Sequence, residues 1–483
     1  MNFREQLDLA SERLGGSVVY ATDDYFAEKE NLLKPLRAVW KEHEYTDRGK
    51  WMDGWESRRK RVPGHDYAII RLGLRGVVRG FVVDTAFFRG NYPESCAIEG
   101  TSLRPDATID ALLEAEWREL LPRAALQGDS ENVFPSVGND AVTHLRFHIF
   151  PDGGVARLRL HGEVVPEWRL SGGLGNELDL AAVEHGGDVL QCSDMFFGPK
   201  HNLIMPGRAR DMSDGWETRR RRGPGHDWVI VKLAAEARVR RIELDTNHFK
   251  GNFPDTASID GSRDGASWTE LLPRTKLQAH TRHFFLDELL SDGPFTHLRL
   301  NVFPDGGVSR MRVWGVATEA GRHEAIVRRV NTLFDGSELL KVCGSPRWVE
   351  GLLAARPYPS WDALIDSASR VWSALEARDW LEAFAAHPRI GERKAGPRPG
   401  WSAQEQSGTA NAPDETMRAL ADAQRAYEER FGFLYLVCAT GRSAGEMLEN
   451  VQQRMHNDRD SELRVAAEEQ RKITALRLEK LVL

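Results

Sequence analysis

A polar motif that occurs twice constrains this 483-residue chain more than any other feature. Residues 53–66 read DGWESRRKRVPGHD, and residues 214–227 read DGWETRRRRGPGHD. The offset from Asp53 to Asp214, 161 residues, also relates Gly90-Asn91 to Gly251-Asn252, and about half of residues 53–100 are identical to their counterparts. Because the shared residues are mostly polar, Trp, Gly or Pro, the duplication preserves more than a packing pattern.

Two further pairs of segments extend each repeat to the size of a domain. Residues 121–123 (LPR) return as residues 272–274, and residues 143–155 return as residues 296–308 with the shared ending FPDGGV. Each unit then spans about 150 residues, which is too long for a solenoid element. The glycine-rich segment 171–175 is the expected joint, so we predict repeats over residues 1–172 and 173–322.

Alternating apolar and polar residues within each unit predict β-strands. Residues 228–233 (WVIVKL) and 240–245 (RRIELD) have a period of two, and Gly, Pro and Asp separate such runs. The segment 304–307 (PDGG) is typical of a hairpin turn in which glycine supplies a positive φ. Many short strands with turn signals predict two all-β units, each a jelly roll or sandwich of packed antiparallel sheets.

Beyond about residue 325 the sequence favours helices. Residues 361–384, 414–430, 443–455 and 461–481 are rich in Ala, Leu, Glu and Arg and have helical periodicity. Pro-, Gly- and Asn-containing stretches interrupt these segments. We therefore predict a separate all-α domain over residues 328–483, which shares no period with the two β units.

Composition narrows the classes of partner and compartment. A chain with 41% hydrophobic and 28% charged residues is typical of a globular protein, and its net charge of −7 gives no reason to expect nucleic acid or an anionic membrane. The N-terminus lacks an apolar signal-peptide core, and no apolar run approaches the roughly 20 residues of a membrane span. We expect a soluble cytoplasmic protein, which could form a homo-oligomer. The four cysteines lack the spacing of a disulfide framework or a zinc site: Cys96, Cys192, Cys343 and Cys438.

The repeated motifs contain groups suited to chemistry. A histidine beside a carboxylate suits proton transfer near neutral pH, and the arginine fork suits a carboxylate ligand. A structural interpretation is equally open for any single residue, since Asp, Gly and Pro also build tight turns and Trp fills cores. The copies are not equivalent, because His248 stands where the first repeat has Phe87. That asymmetry favours a catalytic role for the second copy.

These motifs together resemble allantoicase, the allantoate amidinohydrolase family, over roughly residues 15–320. The resemblance implies tandem jelly-roll (galactose-binding-like) repeats that hydrolyse allantoate to ureidoglycolate and urea. Water must attack the carbon that carries the two ureido groups, so a base and an acid are both required. The sequence leaves open a divalent metal held by His and carboxylates, and no cofactor is firmly implied.

Carried onto this chain, the resemblance assigns two sets of residues. We expect proton handling by four second-repeat residues: Glu217, His226, Asp227 and His248. We expect substrate binding by two arginines and by first-repeat counterparts: Arg219, Arg220, Asp53, Glu56, Arg59, His65 and Asp66.

The helical region has its own signature. It reads HPRIG at residues 387–391, WSAQEQ at 401–406, FGFLYLVCA at 431–439 and RMHND at 454–458. Taken singly, His387 is more often a helix-terminal residue, and Glu405 a solvated carboxylate. In this order and spacing they resemble the decarboxylase of 2-oxo-4-hydroxy-4-carboxy-5-ureidoimidazoline (OHCU), over about residues 328–483. That resemblance implies an all-helical enzyme that releases carbon dioxide to give (S)-allantoin without a cofactor.

His387 and Glu405 match the catalytic pair of the decarboxylase family. Protein groups need only orient the substrate and deliver a proton to one face, because the electrons left by decarboxylation delocalise into the adjacent imine. Cys438 lies in an apolar run and is interpreted as a packed residue, not as a nucleophile. Seven positions match the substrate-binding set: Pro388, Ser402, Gln406, Val437, Cys438, Ala439 and Arg477.

The combined prediction is a bifunctional enzyme of ureide metabolism whose ligands are allantoate and OHCU. The two reactions are not consecutive, so channelling between sites is not implied. Two other classes stay open. The β half could be a non-catalytic binding module, because a jelly-roll fold does not determine function. Alternatively, one half could be a structural partner of a single active enzyme.

Overall fold

The computed structural model describes residues 2–168, 172–390 and 412–483. The chain divides into two compact units, residues 1–322 and residues 323–483. The first unit contains both β repeats and the second is helical, so the predicted fold class is confirmed. The three domain boundaries drawn from the sequence stay predictions.

The first repeat is an antiparallel β structure centred on one long strand. Its strands are β1 Leu7–Asp8, β2 Ser17–Ala21, β3 Tyr45–Thr46, β4 Gly49–Lys50, β5 Trp55–Glu56, β6 Asp66–Asp84, β7 Ser95–Thr101, β8 Arg118–Ala125, β9 Glu131–Pro135, β10 Val142–Phe150, β11 Gly154–Val155 and β12 Arg157–Val164. A short helix covers Ile109–Leu113.

Strand β6 belongs to both layers of the first sandwich. Its beginning pairs with β2 and β10, and its end pairs with β9 and β12. The first layer continues through β7 to β8, and the second layer ends at β1. Side chains alternate along the strands, so Leu145, Phe147 and Ile149 of β10 enter the core while Arg146 and His148 face outward.

The second repeat reproduces the topology of the eight-stranded sheet, with the order β13-β22-β16-β20-β17-β18, but has no counterpart of the short β3–β4 pair among its described strands. Its strands are β13 Leu178–Asp179, β14 Asp188–Cys192, β15 Trp216–Glu217, β16 Asp227–Asp245, β17 Thr256–Ser262, β18 Thr269–Lys276, β19 Arg282–Phe285, β20 Phe295–Phe303, β21 Gly307–Val308 and β22 Arg310–Ala317. Trp55 and Trp216 are fully buried, and their indole N–H groups donate to the carbonyls of Asp23 and Asp194.

The prediction of a hairpin at residues 304–307 is wrong. Strand β16 lies between β20 and β22, so the chain does not fold back directly onto its neighbour. Instead the turn leads into β21, which pairs with β15 and places Gly307 opposite Glu217. Gly306 has the expected positive φ, at 131°. A local turn signal cannot reveal this, because the partner strand lies far away in the sequence.

The second unit is built from helices, whose described bounds are Glu319–Asn331, Ser337–Cys343, Pro346–Ala354, Trp361–Ser373, Ala377–Ala385, Asp414–Phe431, Ala444–Arg454 and Arg459–Glu479. The first of these begins within the β unit. Ser443 and Glu446 form a reciprocal capping box, and Asp458 caps the last long helix. No helix in the described part of the chain is long and apolar enough to span a bilayer.

Candidate active sites

The aspartate of each DGWE motif lies in a buried ion pair. Asp53 accepts from the Arg157 guanidinium at 2.8 Å and from the backbone N–H of Val39 at 2.9 Å. Asp214 pairs with Arg310 at 3.4 Å and also contacts Arg13, which reaches it from the first repeat. Asp53, predicted to bind substrate, therefore lies among protein partners, where it holds the motif against the first residue of β12.

The glutamate of each motif has an asparagine partner. The Asn91 side chain donates to Glu56 at 2.7 Å, and Asn252 donates to Glu217 in the same way. Burial raises the pKa of both carboxyl groups, although the asparagine bond acts in the opposite direction. Each group therefore keeps its proton to a higher pH than an ordinary glutamate does.

His248 occupies a strained backbone position in the loop between β16 and β17. Its φ is 71°, in the left-handed region, and Phe87 has the same conformation in the first repeat. The backbone N–H of His248 donates to Nδ1 of His280 at 2.8 Å, and its Nε2 bonds to the carbonyl of Ala209 at 3.0 Å. Met212, from the same segment as Ala209, contacts Asn252, the partner of Glu217.

The equivalent corner of the first repeat has different chemistry. The backbone N–H of Phe87 donates to the Asp129 carboxylate at 2.7 Å, and the Phe87 ring packs against Trp40. A histidine pair in one copy thus replaces an aromatic and an acidic residue in the other, on the same backbone.

In each His-Asp pair, the aspartate and the histidine have different surroundings. Asp227 is buried, accepts from Ser193 at 2.9 Å and pairs with Arg221. Asp66 is likewise buried and pairs with Lys60 at 2.6 Å. The adjacent His65 and His226 are only partly buried, and their rings pack against Phe150 and Phe303, with centroids 4.4 and 4.5 Å apart.

The predicted arginines lie on the surface. Arg219 donates from its backbone to Asp194 at 2.7 Å, and its guanidinium lies 4.6 Å from the Phe196 ring. Arg59 and Arg220 are exposed. The sequence interpretation missed Arg123 and Arg274, whose guanidinium groups lie 4.2 and 4.0 Å from the same Phe150 and Phe303 rings. Their shared LPR motif was the available signal.

In the helical unit, six predicted residues line one cavity. They are His387, Pro388, Val437, Cys438, Ala439 and Arg477, accompanied by Ile390, Tyr435, Leu436, Thr440, Ile473 and Leu476. Nη2 of Arg477 donates to Nδ1 of His387 at 3.5 Å, which places the histidine proton on Nε2. Ser402, Glu405 and Gln406 lie outside the described residues.

A buried polar cluster fixes the wall of this cavity. Arg454 pairs with Glu462 at 2.6 Å and donates to the carbonyl of Leu436 at 2.6 Å, while Tyr427 donates to Glu462. The backbone N–H of Cys438 donates to Glu469 at 2.7 Å. The segment 436–438 is therefore held by side chains from two helices, and Tyr427 of a third helix supports them through Glu462.

Metal chemistry has no support from the residue groups in the described ranges. No cluster there contains three or more His, Cys, Asp or Glu side chains arranged to hold an ion. The His and carboxylate groups named above instead bond to Asn, Arg and backbone partners. No step is therefore assigned to a metal.

Tandem jelly-roll repeats with polar loops, followed by a helical unit with a polar cavity, define a multidomain enzyme with two separate sites. A model of the allantoicase repeat matches residues 7–165 and 178–318, and a model of OHCU decarboxylase matches residues 336–479. The chain therefore belongs to the allantoicase family over its β repeats, and its helical unit is an OHCU decarboxylase domain. Both resemblances predicted from the sequence are confirmed.

Individual relatives agree with these matches. The allantoicase of Dictyostelium discoideum is 49% identical over 322 residues, which cover 64% of this chain and 86% of that protein. A crystal structure of allantoicase from Saccharomyces cerevisiae is 34% identical, covers 64% of this chain and 93% of its own, and has a TM-score of 0.56. A crystal structure of OHCU decarboxylase in the presence of (S)-allantoin is 36% identical over 30% of this chain and 99% of its own, with a TM-score of 0.27. The chain is a bifunctional enzyme of the allantoate and allantoin pathway, with hydrolase and decarboxylase activities.

Proposed function

We propose that the β repeats hydrolyse allantoate to (S)-ureidoglycolate and urea, and that the helical domain decarboxylates OHCU to (S)-allantoin. The observation that carries the second activity is the cavity around His387 and Arg477. The first activity is supported by the buried Glu217 and the neighbouring histidine pair, His248 and His280.

Allantoate hydrolysis requires an acid for the departing urea nitrogen. Burial raises the pKa of Glu217, which suits a carboxyl group that must hold a proton near neutral pH. His248 lies on the same loop system, and its Nε2 donates to a carbonyl, so Nδ1 carries the lone pair. We assign Glu217 as the acid and His248 as a group that orients the substrate.

The remaining predicted residues take supporting roles in this proposal. Asp227 is committed to Arg221 and Ser193, so it positions the loop that carries His226. His226 contacts the substrate through Nδ1. The exposed Arg219 and Arg220 attract the anionic substrate to the site, and Arg59 does so in the first repeat. Glu56, His65 and Asp66 repeat the arrangement of Glu217, His226 and Asp227.

In the decarboxylase cavity, Arg477 fixes the ring of His387 and offers further N–H donors to the substrate carboxylate or ureido oxygen. His387 and Glu405 then orient the hydroxyl-bearing carbon and deliver the proton that replaces carbon dioxide. The backbone of Val437, Cys438 and Ala439 supplies fixed polar groups beside the ring of the substrate. Both reactions are proposed to need no cofactor and to occur in the cytoplasm, with small molecules as the ligands.

Separate assays of the purified protein test the two activities. We expect urea from allantoate and (S)-allantoin from freshly prepared OHCU. His387→Ala and Glu405→Ala should abolish allantoin formation and leave urea release intact, because the sites are separate. Saturable allantoate binding without urea release would favour the binding-module alternative, and loss of both activities in either variant would contradict independent sites.

A further inference from the structure

The first repeat contains a chain of three titratable side chains on the outer face of its sheet. Nε2 of His65 lies 2.8 Å from Nδ1 of His148, and Nε2 of His148 lies 3.0 Å from Oε2 of Glu99. Arg146 donates to the same carboxylate at 2.6 Å. Strand pairing creates this chain, because His148 lies opposite Tyr67 on one side and opposite Ala97 on the other.

The hydrogen bonds fix where the protons lie. Hydrogen bonds from Arg146 and His148 lower the pKa of Glu99 although burial opposes them, so this carboxylate can only accept. His148 must therefore donate from Nε2 and accept at Nδ1, and His65 must donate from its own Nε2. The lone pair of neutral His65 consequently lies on Nδ1, and a positive charge formed on His65 is stabilised through His148 by Glu99.

The second repeat reproduces the geometry without the titratable link. Nε2 of His226 lies 3.2 Å from Oδ1 of Asn301, and Nδ2 of Asn301 lies 2.9 Å from Asp260. Arg299 donates to Asp260 just as Arg146 donates to Glu99. The amide of Asn301 keeps His226 in the same tautomer, but it cannot accept and pass on a proton.

An arginine accompanies the histidine cluster of each repeat, around His65 in the first and around His226 in the second. Nε of Arg123 donates to Ser95 at 2.8 Å, and Nε of Arg274 donates to Thr256 at 2.7 Å. Both arginines are exposed and contact the phenylalanine ring that also packs against the histidine. Their terminal nitrogens thus lie on the histidine side of the sheet, with the Nε atom already fixed, which suits a carboxylate ligand.

We propose that His65 is the proton acceptor of the hydrolase, that His148 and Glu99 are its positioning residues, and that Arg123 binds the substrate carboxylate. This inference rests on the proposed hydrolysis of allantoate. Nδ1 of His65 takes one proton from water, and the water oxygen bonds to the central carbon. The bond from that carbon to one ureido nitrogen breaks as the nitrogen takes a proton from the general acid. His65 then releases its proton to solvent and the acid regains one from solvent, so one water is consumed and ureidoglycolate and urea account for all atoms.

The surroundings of His65 favour a neutral ring in the resting enzyme. Burial lowers the pKa of both His65 and His148. The charged and titratable groups that face His65 come from the preceding loop and from strands β6, β8 and β10: Lys60, Asp66, Tyr67, Arg123, Arg146 and His148. A neutral ring is the form that can accept a proton from water.

His148→Asn is the decisive variant, because it gives the first repeat the residue that the second repeat already carries. Asparagine keeps the tautomer of His65 but removes the charge link to Glu99. We expect kcat for urea release to fall at least about tenfold with KM within about twofold, and the acid limb of the pH profile to move to lower pH. His65→Asn should lower kcat by about 100-fold or more. Arg123→Ala should instead raise KM, and Arg123→Lys should restore it in part.

The exposed His43 offers a matched control, since His43→Asn removes a histidine outside the cluster and should leave kcat, KM and the pH profile unchanged. Allantoin formation by the helical domain reports that each variant is correctly quantified, and the urea unfolding curve of each variant reports whether its β repeats are folded. Wild-type kcat and an unmoved acid limb in His148→Asn, or wild-type urea release in His65→Asn, would overturn the inference while the proposed function stands. A wild-type protein that releases no urea would overturn both.

Discussion

The two β repeats share one fold and differ at three positions that bear on their chemistry. His248 and His280 of the second repeat correspond to Phe87 and Asp129 of the first, and His148 of the first corresponds to Asn301 of the second. The strand order, the buried tryptophans and the Asp-Arg ion pairs are the same in both. The duplication has therefore kept the framework, while the titratable groups differ between the copies. The second repeat has the buried Glu217 and the histidine pair, and the first repeat has the hydrogen-bonded chain of His65, His148 and Glu99.

The largest effect is expected from the ion pairs that the repeats share. Asp214→Ala leaves Arg310 and Arg13 without their carboxylate, so we expect the free energy of unfolding to fall by about 3–5 kcal/mol. Asp53→Ala should cost less, because its second cation is the half-exposed Lys34, whose Nζ lies 3.9 Å from the carboxylate, whereas Arg13 makes close contact with Asp214. Urea unfolding followed by tryptophan fluorescence measures both losses. Asp106→Ala, at an exposed pair with Arg104, is the control and should change nothing measurable. Equal losses in the first two variants would show that Arg13 contributes no more to stability than Lys34 does.

Glutamine substitutions compare the two buried glutamates. Glu217→Gln should lower kcat for urea release by about 100-fold or more, because glutamine cannot donate the proton that a general acid supplies. Since burial raises the pKa of Glu217, activity in the wild type should fall as pH rises through that pKa, and this limb should vanish in the variant. Glu56→Gln is the matched control, for which we expect a smaller loss. The opposite ranking would assign the acid to the first repeat.

Exchanging the strained residues tests the asymmetry directly. His248→Phe places the first-repeat residue in the second repeat and should lower kcat about tenfold, because the ring nitrogen that faces the substrate is lost. Phe87→His makes the reverse change and should not increase the rate. Steady-state kinetics with allantoate measures both. Full activity of His248→Phe would remove the second repeat's histidine pair from the mechanism.

The smallest effect concerns acid stability. Hydrogen bonds from Arg157 and the Val39 backbone lower the pKa of Asp53 although burial opposes them. A lowered carboxyl pKa stabilises the folded state above the unfolded pKa of 3.8, and this stabilisation is lost as pH falls through the folded value. The difference in unfolding free energy between the wild type and Asp53→Asn should therefore shrink as pH decreases below about 4. A difference that does not change with pH would show that the pair is not coupled to protonation.

Periodicity and turn residues in the sequence were sufficient to predict the β repeats and the helical domain. Segment 361–384 is an instructive exception, because the structure divides it into helices Trp361–Ser373 and Ala377–Ala385. Glu376 begins the second helix through a capping box with Asp379, a local signal that periodicity alone overlooks. The prediction of a hairpin at residues 304–307 was wrong for the opposite reason, because the strand that follows the turn pairs with β15, which is distant in the sequence.

More of the residues predicted for the decarboxylase than of those predicted for the hydrolase lie together in one cavity. Pro388, Val437 and Arg477 were selected from a resemblance with dense local motifs, and the fold brings them to one cavity. In the β repeats the aspartates shared by the two copies lie in buried ion pairs, while Arg123 went unnoticed. A motif shared by two copies contains both structural and functional residues. Only the contacts of each side chain distinguish the two kinds, and the sequence does not show those contacts.

The sequence by itself determined that the chain is duplicated, that its repeats are β and its last domain helical, and which two enzyme families it resembles. These conclusions rest on residues that are neighbours in the chain. Only the tertiary structure decided which side chains meet. His65 and His148 are 83 residues apart, and the antiparallel register of β6 and β10 brings their rings within hydrogen-bonding distance. A shift of one residue in that register would turn His148 into the core, so packing of the opposite face fixes the hydrogen-bonded chain.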